Sequence, residues 1–210
     1  MAIVAVAVTA TACGVDDHAS GERSREVCDS FAAEGDVASA LSRISDTDRF
    51  TDSGSKPEET LASLRSADGM VTSAEELQGS PLCVLKPAGE DDPLLTIYLR
   101  EASTVSKADS EKEKTFTLYD TGASAMATDR LASIYFHCRM SNPRKSIIVN
   151  GTLERENKVG VPRKETTDKQ MLVMNAAARQ VTDELGCAGA DLAEGTPKAT
   201  SGVYSRAENR

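Results

Sequence analysis

The chain has 210 residues, and 24 Lys and Arg against 33 Asp and Glu give it a formal charge of −9 and a pI near 4.8. An acidic surface repels phosphate, so the composition excludes ordinary nucleic-acid binding and disfavours charge-driven adhesion to anionic lipid. Aromatic residues make up only 4% of the chain and Trp is absent, which disfavours carbohydrate grooves and aromatic cages. The length suits one domain with a substantial core.

An apolar stretch from Ile3 to Ala12 leads directly into Cys13 and Gly14. A short apolar run, small residues and then Cys-Gly are typical of a bacterial lipoprotein signal, which is cleaved before a cysteine whose thiol carries a diacylglycerol. About ten apolar residues are too few to span a bilayer as a helix. We therefore expect residues 1–12 to be a signal segment and Cys13 to be lipidated. The alternatives are export without lipid, and a buried N-terminal element with Cys13 as a core thiol.

Four further cysteines, Cys28, Cys83, Cys138 and Cys187, are widely spaced. An even number predicts two disulfides in an oxidising compartment, and no C-x-x-C or C-x-x-H motif supports a zinc site. Sequence alone leaves three pairings open. Cys83 and Cys138 lie in runs typical of strands, which favours a bridge between these two. The second bridge then joins Cys28 to Cys187 at the helical ends of the domain.

Apolar periodicity predicts an α+β fold in a single domain. The predicted helices run from about 25 to 44 with a kink at Gly35, from a capping box at Ser55 to Gly69, and from a capping box at Thr167 to Gly186. The predicted strands are 82–85, 94–100, 115–119, 131–139 and 146–155. Consecutive strands without intervening helices imply an antiparallel sheet of four to five strands, with the N-terminal and C-terminal helices packed on one face.

Composition also divides the chain into segments. Residues 13–24 are expected to form a flexible tether, 25–189 the α+β domain and 190–210 a disordered tail poor in apolar residues. The charged stretch 102–114 is expected to be a solvated connection.

The segments VCDSF, DRF, LCVL, IYFHC, VNGTLER and NAAARQVTDELGC together resemble a family of uncharacterised actinobacterial (Streptomyces-like) exported lipoproteins with two disulfides. The resemblance covers most of the chain from Val27 to Cys187. It implies export and disulfides, and it implies no catalytic residue. The residues that carry it are Cys28, Arg49, Phe50, Cys83, Cys138, Gly151, Leu153, Asn175, Leu185, Gly186 and Cys187.

The segment Asp120-Thr121-Gly122-Ala123-Ser124 matches the active-site turn of pepsin-like and retroviral aspartic proteases. Such enzymes need two Asp residues that share a proton, from a second copy of the turn or a symmetric dimer. No second D-[ST]-G with apolar flanks occurs in the sequence. The simpler interpretation is a strand end and turn, where Asp and Gly are favoured by the backbone.

Three other patterns have structural interpretations. His137 and Cys138 are adjacent strand residues, so their side chains should point to opposite faces. Met171 and Met174 are expected to fill the core rather than bind copper. Asn150 begins a glycosylation sequon, and we expect Gly151 to mark a bulge or a close backbone approach.

The sequence therefore predicts an exported lipoprotein on the extracytoplasmic face of the cell membrane, or a secreted form. We expect a non-enzymatic binding or interaction domain without cofactor, metal or nucleic acid, attached to the membrane through its lipid. The alternative is an extracellular hydrolase with Asp120 as its candidate residue.

Overall fold

The computed structural model describes residues 21–69, 79–106, 116–156 and 163–200. The predicted signal segment, Cys13 and residues 201–210 lie outside the described residues, as does most of the charged connection 102–114.

One antiparallel sheet and three helices make up the described fold, which confirms the α+β class. The strands are β1 (Glu22–Arg23), β2 (Arg49–Asp52), β3 (Pro81–Pro87), β4 (Leu95–Ala102), β5 (Thr117–Asp120), β6 (Ser124–Ala127), β7 (Leu131–Ser141), β8 (Arg144–Arg155) and β9 (Lys198–Thr200). Their order across the sheet is β1-β2-β3-β4-β8-β7-β6-β5-β9. The prediction of four to five strands is too low, because β1, β2, β6 and β9 have only two to four residues each and show no usable alternation.

The helices are α1 (Gly35–Ser45), α2 (Pro57–Ser66) and α3 (Arg163–Leu185). A proline at its first position opens α2, where the missing N–H costs no hydrogen bond. Gly186 ends α3 in the left-handed region, with φ of +62°, which confirms the predicted stop. The apolar stripe of α3 is buried as predicted; its members are Met171, Met174, Ala178, Val181 and Leu185.

The predicted helix over 25–44 is wrong in its first half. Cys28, Asp29 and Ser30 form a short 3-10 turn in which φ is 46°, 59° and 63°. Successive left-handed residues cannot continue a right-handed helix. As a result α1 begins at Gly35, so this glycine starts the helix and does not kink it.

The helices share one hydrophobic core with one face of the sheet. On β7, Ile134, Phe136 and Cys138 belong to this core while His137 is exposed, which confirms the predicted alternation. The helix packs closely on the sheet at Gly151 of β8, where an added Cβ would approach Met174 Cε of α3 to 2.6 Å. The predicted close backbone approach at Gly151 is therefore confirmed.

All four predicted cysteines form disulfides, but the predicted pairing is wrong. Cys28 is bonded to Cys83, which joins the 3-10 turn to β3, and Cys138 is bonded to Cys187, which joins β7 to the end of α3. The strands β4 and β8 lie between β3 and β7. Three strand spacings put Cys83 and Cys138 about 14 Å apart, well beyond the reach of a disulfide.

Both ends of the described chain are more ordered than the sequence suggested. Residues 22–23, assigned to the tether, pair with β2 as β1. Residues 190–200, assigned to the disordered tail, return along α3 and end in β9, which pairs with β5. Residues 13–20 and 201–210 lie outside the described residues, so the prediction for these parts remains a prediction.

Candidate functional site

The D-T-G-A-S segment connects β5 to β6. Asp120 is exposed at the end of β5, and its cross-strand neighbour is Lys198 of β9. Gly122 has φ of +62°, donates its N–H to the carbonyl of Asp191 (2.9 Å), and would place a Cβ only 2.5 Å from the carbonyl oxygen of Tyr135. The glycine is therefore required by the turn itself.

The buried threonine of this segment fixes the C-terminal chain to α3. Thr121 donates its hydroxyl to Asn175 Oδ1 (2.6 Å) and accepts the N–H of Ala193 (2.9 Å). Asn175 is 1% exposed and donates Nδ2 to the carbonyl of Ala193 (2.8 Å). The hydrogen bonds of Thr121 and Asn175 satisfy buried polar groups, so the role of these two side chains is structural.

We expect Asn175→Ala to lower the free energy of unfolding by about 2 kcal/mol, because the Thr121 hydroxyl and the Ala193 carbonyl lose a buried partner. Urea denaturation followed by circular dichroism measures the loss. Gln180→Ala on the same helix is the control, since Gln180 makes an outer hydrogen bond to Asp29 (3.1 Å), and we expect it to cost about 0.5 kcal/mol. Equal losses in the two variants would contradict the role given to Asn175.

Tyr119 precedes the segment and points into the core. It is 2% exposed, and its phenol donates to Asp168 Oδ1 (2.8 Å) at the start of α3, where Lys164 also binds the carboxylate (2.8 Å). Burial, and then the neighbouring Asp168 carboxylate, raise the pKa of Tyr119 far above its usual value. The phenol is therefore neutral and acts as a hydrogen-bond donor.

The other sequence-predicted residues occupy separate places. His137 is exposed whereas Cys138 is fully buried in a disulfide, so the two diverge as predicted. Met171 and Met174 lie in the core. Asn150 is 3% exposed and donates to Ser133 Oγ (3.0 Å), so the asparagine of the sequon is a buried member of the sheet.

A surface groove of about 540 Å³, which the sequence did not predict, runs along the outer side of α1. We call it the α1 groove. Small residues of α1 line one side, and the chain at 23–25 and 46–48 lines the other. The groove exists because β1 pairs with β2, which brings the first residues of the domain beside α1. Its lining residues are Arg23, Ser24, Arg25, Gly35, Ala38, Ser39, Ser42, Arg43, Asp46, Thr47 and Asp48.

Hydrogen bonds fix the base of the α1 groove. The hydroxyls of Ser24 and Ser42 lie 2.7 Å apart, and the N–H of Ser24 donates to the carbonyl of Asp48 (3.2 Å). Arg43 pairs with Glu165 of α3 (3.0 Å). Within the part of the chain that the structure describes, the side chains of Arg23 and Arg25 have no hydrogen-bond or ion-pair partner. These two exposed guanidiniums are therefore available to a ligand.

Comparison of the chain with protein-family models, with curated proteins and with solved structures finds no match. Among the residues described above, no three His, Cys, Asp or Glu side chains are grouped so as to hold a metal ion. None of the helices in these same ranges is long and apolar enough to cross a membrane.

Proposed function

We propose that the protein is an exported lipoprotein, tethered to the extracytoplasmic face of the cell membrane through Cys13, with a folded domain that binds a partner without catalysis. The observation that carries this proposal is the pair of disulfides, Cys28–Cys83 and Cys138–Cys187. Disulfides persist in oxidising compartments outside the cytosol. They use four of the five cysteines and leave Cys13, which follows the apolar segment.

Two features of the structure support binding as the role of the domain. The α1 groove offers charged and hydroxyl side chains, among them Arg23 and Arg25, whose guanidinium groups have no partner among the residues that the structure describes. In contrast, residues of the D-T-G-A-S segment form the turn itself, pair with β9 and make a hydrogen bond to α3, so their contacts are structural. No specific observation favours the hydrolase alternative.

The anchor is tested by expressing the full-length chain in an actinobacterial host and measuring the mass of the mature N-terminus. We expect a chain that begins at Cys13 and carries a diacylglycerol. Cys13→Ser should move the protein out of the membrane fraction and leave both disulfides intact, since Cys13 precedes the described domain. An unprocessed N-terminus, or processing without lipid, would refute the proposal.

A further inference from the structure

Three consecutive residues adopt positive φ in the turn Cys28–Ser30, which we call the Cys28 turn. The values are 46° at Cys28, 59° at Asp29 and 63° at Ser30. Residues with a Cβ rarely adopt positive φ, and aspartate tolerates it better than cysteine or serine. Cys28 and Ser30 therefore hold a backbone conformation that they would not adopt by themselves, and such a conformation persists only where surrounding contacts impose it.

A covalent bond imposes the conformation of the Cys28 turn. Cys28 Sγ is bonded to Cys83 Sγ of β3, with the two Cα atoms 5.6 Å apart. Two side-chain hydrogen bonds also join the turn to its surroundings. The Ser55 hydroxyl donates to Cys28 Sγ (3.5 Å), and Gln180 Nε2 donates to the carbonyl of Asp29 (3.1 Å). Both are weaker than the disulfide, so opening the disulfide removes the main constraint on the turn.

The flanks of the Cys28 turn are held independently of the disulfide. Val27 and Phe31 are 0% and 7% exposed and belong to the hydrophobic core. The three residues between them can therefore change conformation without unfolding of the domain. Such a change alters a cavity of about 300 Å³ between the turn, α2, β3 and α3, because Cys28 and Asp29 form part of its wall.

The second disulfide has different surroundings. Arg139 and Ala188, which follow Cys138 and Cys187 in the chain, exchange two backbone hydrogen bonds of 3.2 and 3.0 Å. Neither cysteine of this bridge has a positive φ. The hydrogen bonds keep the two segments together when the disulfide is open, so the backbone there should not depend on oxidation.

A reductant reaches the first disulfide from one side. Cys83 is fully buried, whereas Cys28 is half-buried and lines the cavity, so Cys28 Sγ is the sulfur that a thiolate can attack. Three carboxylates line the same cavity, and an uncharged thiol is therefore the appropriate probe. They belong to Asp29, Glu58 and Glu184.

We propose that the Cys28–Cys83 disulfide is a redox-sensitive element whose opening by a dithiol reductant relaxes the Cys28 turn and reshapes the adjoining cavity. A thiolate of the reductant attacks Cys28 Sγ and forms a mixed disulfide, which breaks the bond to Cys83 and releases a thiolate that takes up a proton. The second thiol of the reductant then displaces Cys28 as a thiol, and the reductant leaves as a disulfide. This role is additional to the proposed binding function and does not depend on the lipid anchor.

Two double variants of the full chain with Cys13→Ser open one bridge each. Cys28→Ala with Cys83→Ala opens the first bridge, and Cys138→Ala with Cys187→Ala opens the second. The loops that the bridges close have 55 and 49 residues, so the two variants lose nearly equal constraints on the unfolded chain. Each variant is therefore the control for the general destabilisation of the other.

Hydrogen exchange read by mass spectrometry compares the backbone of the two variants. We expect the segment 27–33 to exchange at least about tenfold faster in C28A/C83A than in C138A/C187A. The reason is that the amide of Ser30 donates to the carbonyl of Val27 (3.0 Å) in the Cys28 turn, and this bond is lost when the turn relaxes. The amides of Arg139 and Ala188 should exchange equally in the two variants.

A glycine substitution tests the turn with both disulfides present. Ser30→Gly accepts positive φ without strain, so it should make the Cys28–Cys83 bridge about threefold harder to reduce. Ser53→Gly, at an exposed position without positive φ, is the control and should leave this equilibrium unchanged. The Cys13→Ser chains are equilibrated in mixtures of reduced and oxidised dithiothreitol, and peptide mass spectrometry after alkylation gives the oxidised fraction of each bridge.

Equal exchange of the segment 27–33 in the two double variants would overturn the proposal, as would faster exchange throughout C28A/C83A, since the change would not be local. An S30G chain that is reduced as easily as its parent, or an S53G chain with the same shift, would show that the left-handed turn does not govern the bridge. Faster exchange confined to 27–33 together with the S30G shift would support the proposal. The mass of the native N-terminus tests the anchor separately, because these chains carry Cys13→Ser.

Discussion

Replacing Cys138 and Cys187 together by alanine is expected to lower the free energy of unfolding by about 4 kcal/mol. The bridge closes a loop of 49 residues, and in the chain-entropy description a loop of this length restricts the unfolded chain by about that amount. The Cys28–Cys83 bridge spans 55 residues, so its removal should cost nearly the same. Urea denaturation of the Cys13→Ser chain and of each double variant measures both losses. A loss below about 1 kcal/mol would contradict the expectation.

A different double variant distinguishes the two pairings by its number of free thiols. In the observed arrangement, Cys83→Ala with Cys138→Ala breaks both bridges and leaves two thiols, because Cys28 and Cys187 each lose their partner. In the pairing favoured from sequence, the same variant would retain a bridge between Cys28 and Cys187 and show no free thiol. Thiol titration of the denatured chain in the Cys13→Ser background reads the difference directly.

The parts of the fold that could be predicted from sequence are long and regular. The stripe from Met171 to Leu185 covers four turns of α3, and the alternation at Ile134, Phe136 and Cys138 spans half of β7. Both patterns repeat often enough to specify a period and a buried face. Gly186 adds a stop signal whose left-handed backbone the structure retains.

The disulfide pairing depends on topology that local patterns do not contain. The strand β8 follows β7 along the chain but pairs with β4 as well, so it lies between the two halves of the sheet. Cys83 and Cys138 are separated by that insertion. The left-handed turn at Cys28–Ser30 also depends on tertiary structure. It contains no glycine that would indicate a positive φ, and its first residue is bonded to Cys83 of β3.

The α1 groove could not be predicted from the sequence, because it too depends on tertiary contacts. Arg23 lies in the predicted tether and Arg25 in the predicted helix, so the sequence gives no reason to expect the two on one surface. Only the pairing of β1 with β2 brings them beside Ser39 of α1. A two-residue strand has no periodicity of its own, and its partner is set by tertiary contacts.

Arg155 is a buried polar residue that no sequence pattern indicated. It is 4% exposed and ends β8, where its guanidinium donates to the carbonyl of Ile44 at the end of α1 (3.5 Å) and to the carbonyl of Asp129. Burial lowers the pKa of Arg155, and the nearby Asp129 partly offsets that effect. A cation at a helix C-terminus is also attracted by the partial negative charge of the terminal carbonyls, which is a stabilising interaction. The side chain therefore joins α1, the β6–β7 connection and β8.

We expect Arg155→Ala to lower the free energy of unfolding by about 3 to 5 kcal/mol, because it leaves a cavity and removes one donor each from the carbonyls of Ile44 and Asp129. Arg155→Met fills most of the space and should cost about 1 to 3 kcal/mol, which separates the polar contribution from the packing contribution. Arg144→Ala, at the exposed start of the same strand, is the control and should change stability by less than about 0.5 kcal/mol.

The three variants are compared by urea denaturation at neutral pH, where a charged Arg155 is retained in the parent chain. If Arg155→Ala and Arg144→Ala had the same effect, Arg155 would not be the contact that holds α1 to β8. If Arg155→Met instead matched the parent, the carbonyls of Ile44 and Asp129 would not depend on the guanidinium, and packing alone would account for its burial.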